Sequence, residues 1–292
     1  GGKPEFDTVT IKFVTDSAAR VAEIESGSSH VTLEMPYEEY DRLKGNMNAY
    51  ATPVSDIGMI FLNDIEVMAD PNVRKAAVAA IDKQAIVDRL LSGYGVPIDT
   101  LETPEYDAYD ASIKTPYDPD AAIALLAASG YSVDNPVKFK IQSTKGFKPK
   151  DYEMVQAIVG LWRKVGIEAE IEVYEIAKHY ELRGADQLAP AAFYNWGNSV
   201  ADPTTSTGFA MFGPSPHSVW DSQDLIDKIG PLWGEKDEAK RIEGWKGVSR
   251  YIAENAYVIP LLQYVQPILA AKGVTVTPHH SGALLPHLMK RA

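Results

Sequence analysis

Cysteine does not occur in these 292 residues, which excludes disulfides, thiolate metal sites and a cysteine nucleophile. Positive charge is not in excess either: 28 Lys and Arg stand against 40 Asp and Glu, a formal net charge of -12. Nucleic acid is therefore excluded as a partner, because phosphate recognition needs clustered basic side chains. No run is apolar and long enough to span a bilayer, and the nearest candidate, Val258 to Ala271, is broken by Pro260, Gln263, Gln266 and Pro267. The short phrases of common catalytic sites are missing too: there is no Walker loop, G-x-G-x-x-G, H-E-x-x-H or G-x-S-x-G. What is present is ordinary for a chain that buries a core, with 45% hydrophobic and 23% charged residues.

The patterning predicts alternating strands and helices. Val9 to Val14 alternates as a strand would, and Asp16 to Ser26 reads as a helix closed by Gly27. Met59-Ile60-Phe61-Leu62 reads as a short buried strand. Asp70-Pro71 and Asp118-Pro119 each place a capping acid before a first-turn proline, the signature of a helix start. From Val137 onward the order is strand, helix, strand, helix, strand, ending in Ala191-Ala192-Phe193-Tyr194, which predicts an α/β lobe with a partly parallel sheet. Asn195 to His217 is too long and too rich in Gly, Pro, Ser and Thr to be a mere connection. Two helices are expected near Asp221 to Leu232 and Lys236 to Asn255.

Few residues carry chemistry on their own. Asp107, Asp110, Asp118 and Asp120 crowd one segment, and a secreted hydrolase using paired carboxylates is the rival reading there. Helix capping and a solvated turn explain them more simply. His279-His280 could hold a metal, but adjacent histidines in a Pro-flanked tail are the ordinary pattern of a surface. Trp196 differs, because it ends a predicted strand, opens the long loop and is followed by polar Asn198 and Ser199. A flat apolar face beside a few donors and acceptors is what a ligand pocket needs.

Five phrases stand in fixed order: Asp70-Pro71-Asn72-Val73-Arg74-Lys75-Ala76 through Asp82-Lys83, Tyr117-Asp118-Pro119 with Gly130-Tyr131 behind it, Trp162-Arg163-Lys164-Val165-Gly166-Ile167, Trp196-Gly197 through Asp202-Pro203, and Ile259-Pro260-Leu261. As a set they resemble the large solute-binding proteins of the peptide, dipeptide and nickel type that serve ABC importers. The resemblance implies a type II periplasmic-binding-protein-like α/β fold with a cleft that closes over ligand, and no catalysis, cofactor or resident metal. It implies a complete C-terminal lobe over residues 63–259, part of the other lobe over 1–62, and a return segment to it over 260–292. Crossings between lobes would fall near Met59 to Asn63 and Ile259 to Leu262. Family members are usually longer, so the chain is expected to be a C-terminal portion that binds ligand weakly or not at all by itself.

The implied ligand wall is Trp196 by stacking, with Tyr194 beside it, Asn198 and Ser199 by hydrogen bonds, and Lys145 or Arg183 for an anionic group. Gln263 and Tyr264 would line the hinge side. Peptide carriers of the family resemble one another in a Trp-x-x-Asp phrase whose acid holds a peptide amino terminus, whereas here Ser199 stands in its place. A hydroxyl cannot form the charge-assisted bond that an ammonium rewards. The expected ligand is therefore a modified peptide or conjugated amino acid, with an oligosaccharide or chelated metal as alternatives. The other expected partners are the membrane permease subunits, met by a monomer in the periplasm or lipid-anchored on the outer face of the cell membrane.

Overall fold

A computed structural model describes residues 5–292. In chain order the first elements are α1 (Ser17–Ser26), β1 (Val31–Leu33), α2 (Tyr37–Leu43) and β2 (Asn48–Leu62). Next come α3 (Pro71–Ala79), α4 (Lys83–Leu90), β3 (Gly95–Pro97), α5 (Pro119–Ala128) and β4 (Val137–Ser143). The alternating middle continues with α6 (Asp151–Arg163), β5 (Ile167–Val173), α7 (Ile176–Gly184) and β6 (Ala191–Gly197). The last third holds α8 (Thr207–Met211), α9 (Gln223–Ile229), α10 (Glu238–Asn255), β7 (Val258–Ala270) and a small hairpin of β8 (Val274–Thr275) and β9 (Lys290–Arg291).

The capping acids act as their spacing predicts. Asp70 accepts from the Asn72 amide at 2.8 Å, Asp82 from Ala85 at 2.9 Å and Asp118 from Ala121 at 2.9 Å. Each satisfies an amide that the first helical turn leaves without an intrahelical partner. The Asp118 amide also donates to the Ala79 carbonyl at 2.8 Å, which ties the start of α5 to the end of α3.

Seven strands make one mixed sheet in the order β1-β7-β2-β6-β4-β5, with β3 also on β7. The β4, β5 and β6 strands run parallel to one another, as the β-α-β order demands, while β6, β2, β7 and β1 pair antiparallel. Alternation along β2 sends Ile57, Met59 and Phe61 to one face and Ile60 and Leu62 to the other. Along β6, Phe193 shares the first core with Met154, Ile158 and Trp162 of α6, and Tyr194 shares the second with Trp245 and Ile252 of α10. The sheet is thus filled on both faces, the helix–sheet–helix layering of an α/β lobe.

The conspicuous residues of the shared phrases are explained here. Trp162 is wholly buried and donates its indole N–H to the Ala77 carbonyl at 2.8 Å. Arg74, also buried, donates to the carbonyls of Met68, Ala69 and Asn255, and its guanidinium lies over the rings of Trp220 and Tyr257. Lys83 donates to the Ile98 carbonyl, Asp99 and Thr115. These phrases close helices and anchor loops, so they specify the fold.

Two expectations are corrected. Val9 to Val14 is not a strand: it forms no ladder, and Ile11 and Phe13 are 62% and 95% exposed. Alternation shows what can pair, but pairing needs a neighbouring edge. Met59 to Leu62, read as a short strand, is the end of the 15-residue β2. Its first part escapes notice because Pro53, Ser55 and Asp56 look like a turn; Pro53 instead borders a bulge against β7, one of the places where a sheet tolerates proline. The predicted helices of the last third are observed two residues inside their expected starts, at Gln223 and Glu238.

Candidate binding cleft

A cleft of about 540 Å³ opens at the C-terminal end of β6, the end of a parallel strand where α/β sheets bind ligands. Asn195, Trp196 and Gly197 of the strand form its floor, Tyr180 and Arg183 of α7 one wall, and Thr205, Phe209 of α8 and His217 from the segment after the strand the other. The long polar segment after the strand is therefore a built wall. Asn198 accepts from the Val200 amide and the Thr205 hydroxyl and donates to the Asp202 carbonyl, folding the loop on itself. Asp202 caps the next turn through Thr204 and takes Arg241 of α10 through both oxygens, at 2.6 and 2.8 Å.

The centre of the cleft is an aromatic shelf carrying one cation. The Arg183 guanidinium lies 5.2 Å from the ring centre of Tyr180, 5.1 Å from Tyr194 and 5.4 Å from Trp196. Such positioning is favourable through the ring quadrupoles and leaves the planar edge of donors available. Among the described residues no acid lines the cleft. Acids on neighbouring elements are engaged elsewhere: Glu172 with Lys140, Glu181 with Lys178, Asp202 with Arg241.

The shelf is held rigid from beneath. His179 stacks on Tyr194 with ring centres 4.1 Å apart, and the Tyr194 hydroxyl donates to the His179 carbonyl at 2.6 Å. The His179 Nε2 lies 2.8 Å from the Phe193 carbonyl, which can only accept, so that nitrogen carries the proton. Burial pushes the His179 pKa down, and the neighbouring Arg183 charge adds to that shift against the Phe193 carbonyl. The imidazole is thus neutral and does not compete with Arg183 as a cation. Trp196 is fixed in turn by its N–H, which donates to the Thr205 carbonyl at 2.9 Å.

Of the residues singled out in the sequence, Arg183, Tyr194 and Trp196 come together here. Asn198 is buried within the loop, and Ser199 stands exposed on its turn, with its carbonyl accepting from His280 Nε2 at 3.0 Å. Lys145 lies elsewhere, with its ammonium 5.3 Å from the Tyr152 ring centre. Gln263 is buried and donates to Glu105 at 3.0 Å, while Tyr264 is buried in the core against the other face. In the acidic segment, Asp118 caps α5 and Asp110 pairs with Arg250 and Ser112.

Two residues beside the cleft were not singled out. Lys148, from the β4–α6 loop, forms an ion pair with Asp56 of β2, and Asp56 also accepts from the Asn195 amide group at 3.3 Å. The partners are 92 residues apart in sequence, and nothing local announces their meeting.

A mixed sheet covered on both faces, with a cationic aromatic cleft at strand ends, defines an α/β binding lobe of the periplasmic-binding-protein kind. The chain belongs to the bacterial extracellular solute-binding proteins, family 5, whose pattern matches residues 1–215. It is 27% identical to the dipeptide-binding protein of Escherichia coli K12, over 96% of this chain and 55% of that protein. It is 26% identical to the glutathione-binding protein of the same organism, over 94% of this chain and 56% of that one. The chain spans about half the length of these curated relatives. Its fold superimposes on NikA from Brucella suis, solved with Fe(III)-EDTA, with a TM-score of 0.86 at 20% identity, covering all of this chain and 63% of that one.

Proposed function

We propose that this chain is part of the solute-capturing component of an ABC importer and that Arg183 receives an anionic group, a carboxylate above all, of a small peptide-like or conjugated amino-acid ligand. The observation that carries the reading is the Arg183 guanidinium lying on three aromatic rings in a cleft without an acid. Such a fork matches a carboxylate bidentately, and the shelf beneath it accepts a flat or apolar remainder. Trp196 contributes stacking, and Ser199 on the exposed turn contributes a hydroxyl. The relatives named for dipeptides and glutathione support the class, because both kinds of ligand carry carboxylates.

In this reading residues 63–259 form one lobe, and residues 1–62 and 260–292 belong to its counterpart. Capture shifts an open–closed equilibrium, and the closed form docks as a monomer on the permease subunits. The site works outside the cytoplasm, free or lipid-anchored, and no bond of the ligand is broken.

The test is mass spectrometry of what co-purifies with the full-length polypeptide carrying this chain, beside the same polypeptide with Arg183→Ala. A small acid retained by the first and lost by the second is expected. A charge-assisted hydrogen bond contributes about 1.5–3 kcal/mol, or roughly a 10- to 150-fold loss in affinity when removed. An acidic ligand retained equally by both would overturn the role of Arg183.

A further inference from the structure

The Lys148–Asp56 pair sits against the cleft through two contacts. Asn195, which lines the cleft floor, donates to Asp56 at 3.3 Å, and Phe147, next to Lys148, meets the Tyr180 ring edge-on at 6.4 Å. Asp56 lies directly across the β2–β6 ladder from Gly197, and Ile57 from Trp196, so Asp56 shares the sheet face of Asn195 and Gly197, at the strand end and opposite to the face of Trp196. No acid lines the cleft itself, so Asp56 is the carboxylate that hydrogen-bonds to its lining.

That carboxylate is already occupied. Lys148 reaches it from a loop built with little freedom: Asp151, which is 1% exposed, accepts from the Thr144 hydroxyl and from the amides of Gly146, Phe147, Lys148 and Tyr152. The Lys148 ammonium also lies 5.6 Å from the Phe147 ring centre and 5.9 Å from that of Tyr264. Both members of the pair are mostly covered, with side-chain exposures of 23% and 21%. A rigid loop and two aromatic faces therefore hold an ammonium group on Asp56 from inside the protein.

We propose that Lys148 is a specificity-determining residue: an internal ammonium that occupies Asp56 and thereby excludes ligands bearing their own ammonium group at the Asn195 edge of the cleft. A ligand amine entering there would find no free acid, and it would meet the positive charges of both Arg183 and Lys148. A ligand whose amine is acylated, or absent, meets only Arg183 and the aromatic shelf. Specificity of this kind comes from the repulsive partner as much as the attractive one. The inference rests on the cleft being the ligand site, and it narrows the ligand class to acids with a neutral remainder.

The experiment compares two probes, the dipeptide Ala-Phe and its N-acetyl derivative, by calorimetry on the full-length polypeptide and its Lys148→Met and Asp56→Asn/Lys148→Met variants. Methionine keeps the apolar stem over Phe147 and removes the charge. The wild type should favour the acetylated probe by tenfold or more. Lys148→Met should reverse or abolish that preference by freeing Asp56, and the double variant should restore weak binding of the free amine. The proposal is overturned by equal preference in wild type and Lys148→Met, while retained binding of the acetylated probe would leave the carrier reading standing. Failure of both probes on every protein would overturn the proposal, because no small acid with a free or blocked amine would then enter beside Asp56, and it would leave the carrier reading to the co-purification test.

Discussion

Glu102 is 1% exposed and pairs with no basic side chain among the described residues; its two oxygens instead accept the hydroxyls of Thr207 and, at 2.6 Å, Ser249. Burial raises its pKa, and the two hydroxyls offset that only partly. The folded state therefore binds the proton more tightly than the unfolded chain. The resulting stability is fully present below the unfolded pKa of about 4.3 and is lost as pH rises through the folded value. Glu102→Gln keeps the shape and cannot ionise. Its melting temperature relative to wild type should rise by a few degrees between pH 4 and pH 8, and a pH-independent difference would refute this. Glu102 was invisible in the sequence because a lone Glu between Leu101 and Thr103 looks like surface. Its burial is decided by α8 and α10, more than 100 residues away. Asp56 and Lys148 escaped for the same reason, whereas Trp196 stood out as an aromatic ending a predicted strand, and Arg183 was reached only through the family resemblance.

Elements were legible where their boundaries are set by local chemistry. Gly166 is a case in point. Its φ of 101° lies where side chains other than hydrogen are strained. A Cβ there would stand 2.7 Å from the Ser132 carbonyl carbon and 2.8 Å from its oxygen, backbone atoms that cannot swing aside. The Gly166 carbonyl also accepts from the Val137 amide, starting the β4–β5 pairing. Gly166→Ala should cost more than the roughly 1–2 kcal/mol of a left-handed residue alone, measured by urea unfolding. Gly184, with open space around its Cβ position and no such backbone constraint, is the control: Gly184→Ala should leave stability unchanged or slightly raised. Where boundaries depend on partners, the sequence misled. The start of β2 exists because β7 runs beside it from Asn48 to Pro53, and Val9 to Val14 fails to become a strand because no edge adjoins it.

On the scale of the molecule, β2 and β7 form one long antiparallel pair running through most of the sheet. Near β6 they carry the two large cores. At the far end Leu269 packs with α1 and α2, and Ile268 and Ala270 pack with Val274, Val276 and Met289 of the tail. Beside this smaller end runs the irregular segment with Val9, Ile11 and Phe13 at 37%, 62% and 95% exposure. It is held from below, Lys12 donating to Glu23 and the Ser28 carbonyl, and Arg20 to the carbonyls of Val14 and Thr15. A row of exposed apolar side chains is a surface on which copies can associate. The net charge of -12 opposes that association, and salt weakens the opposition as the screening length falls from about 30 Å at 0.01 M to about 3 Å at 1 M. Light scattering on this chain should therefore show self-association that grows with added salt. The triple substitution Val9→Thr, Ile11→Thr and Phe13→Ser should abolish it while changing stability by no more than about 0.5 kcal/mol per site, as exposed positions do. A large loss of stability in the triple variant would mean that the row packs within the chain, and salt-independent association would mean that copies meet through another face.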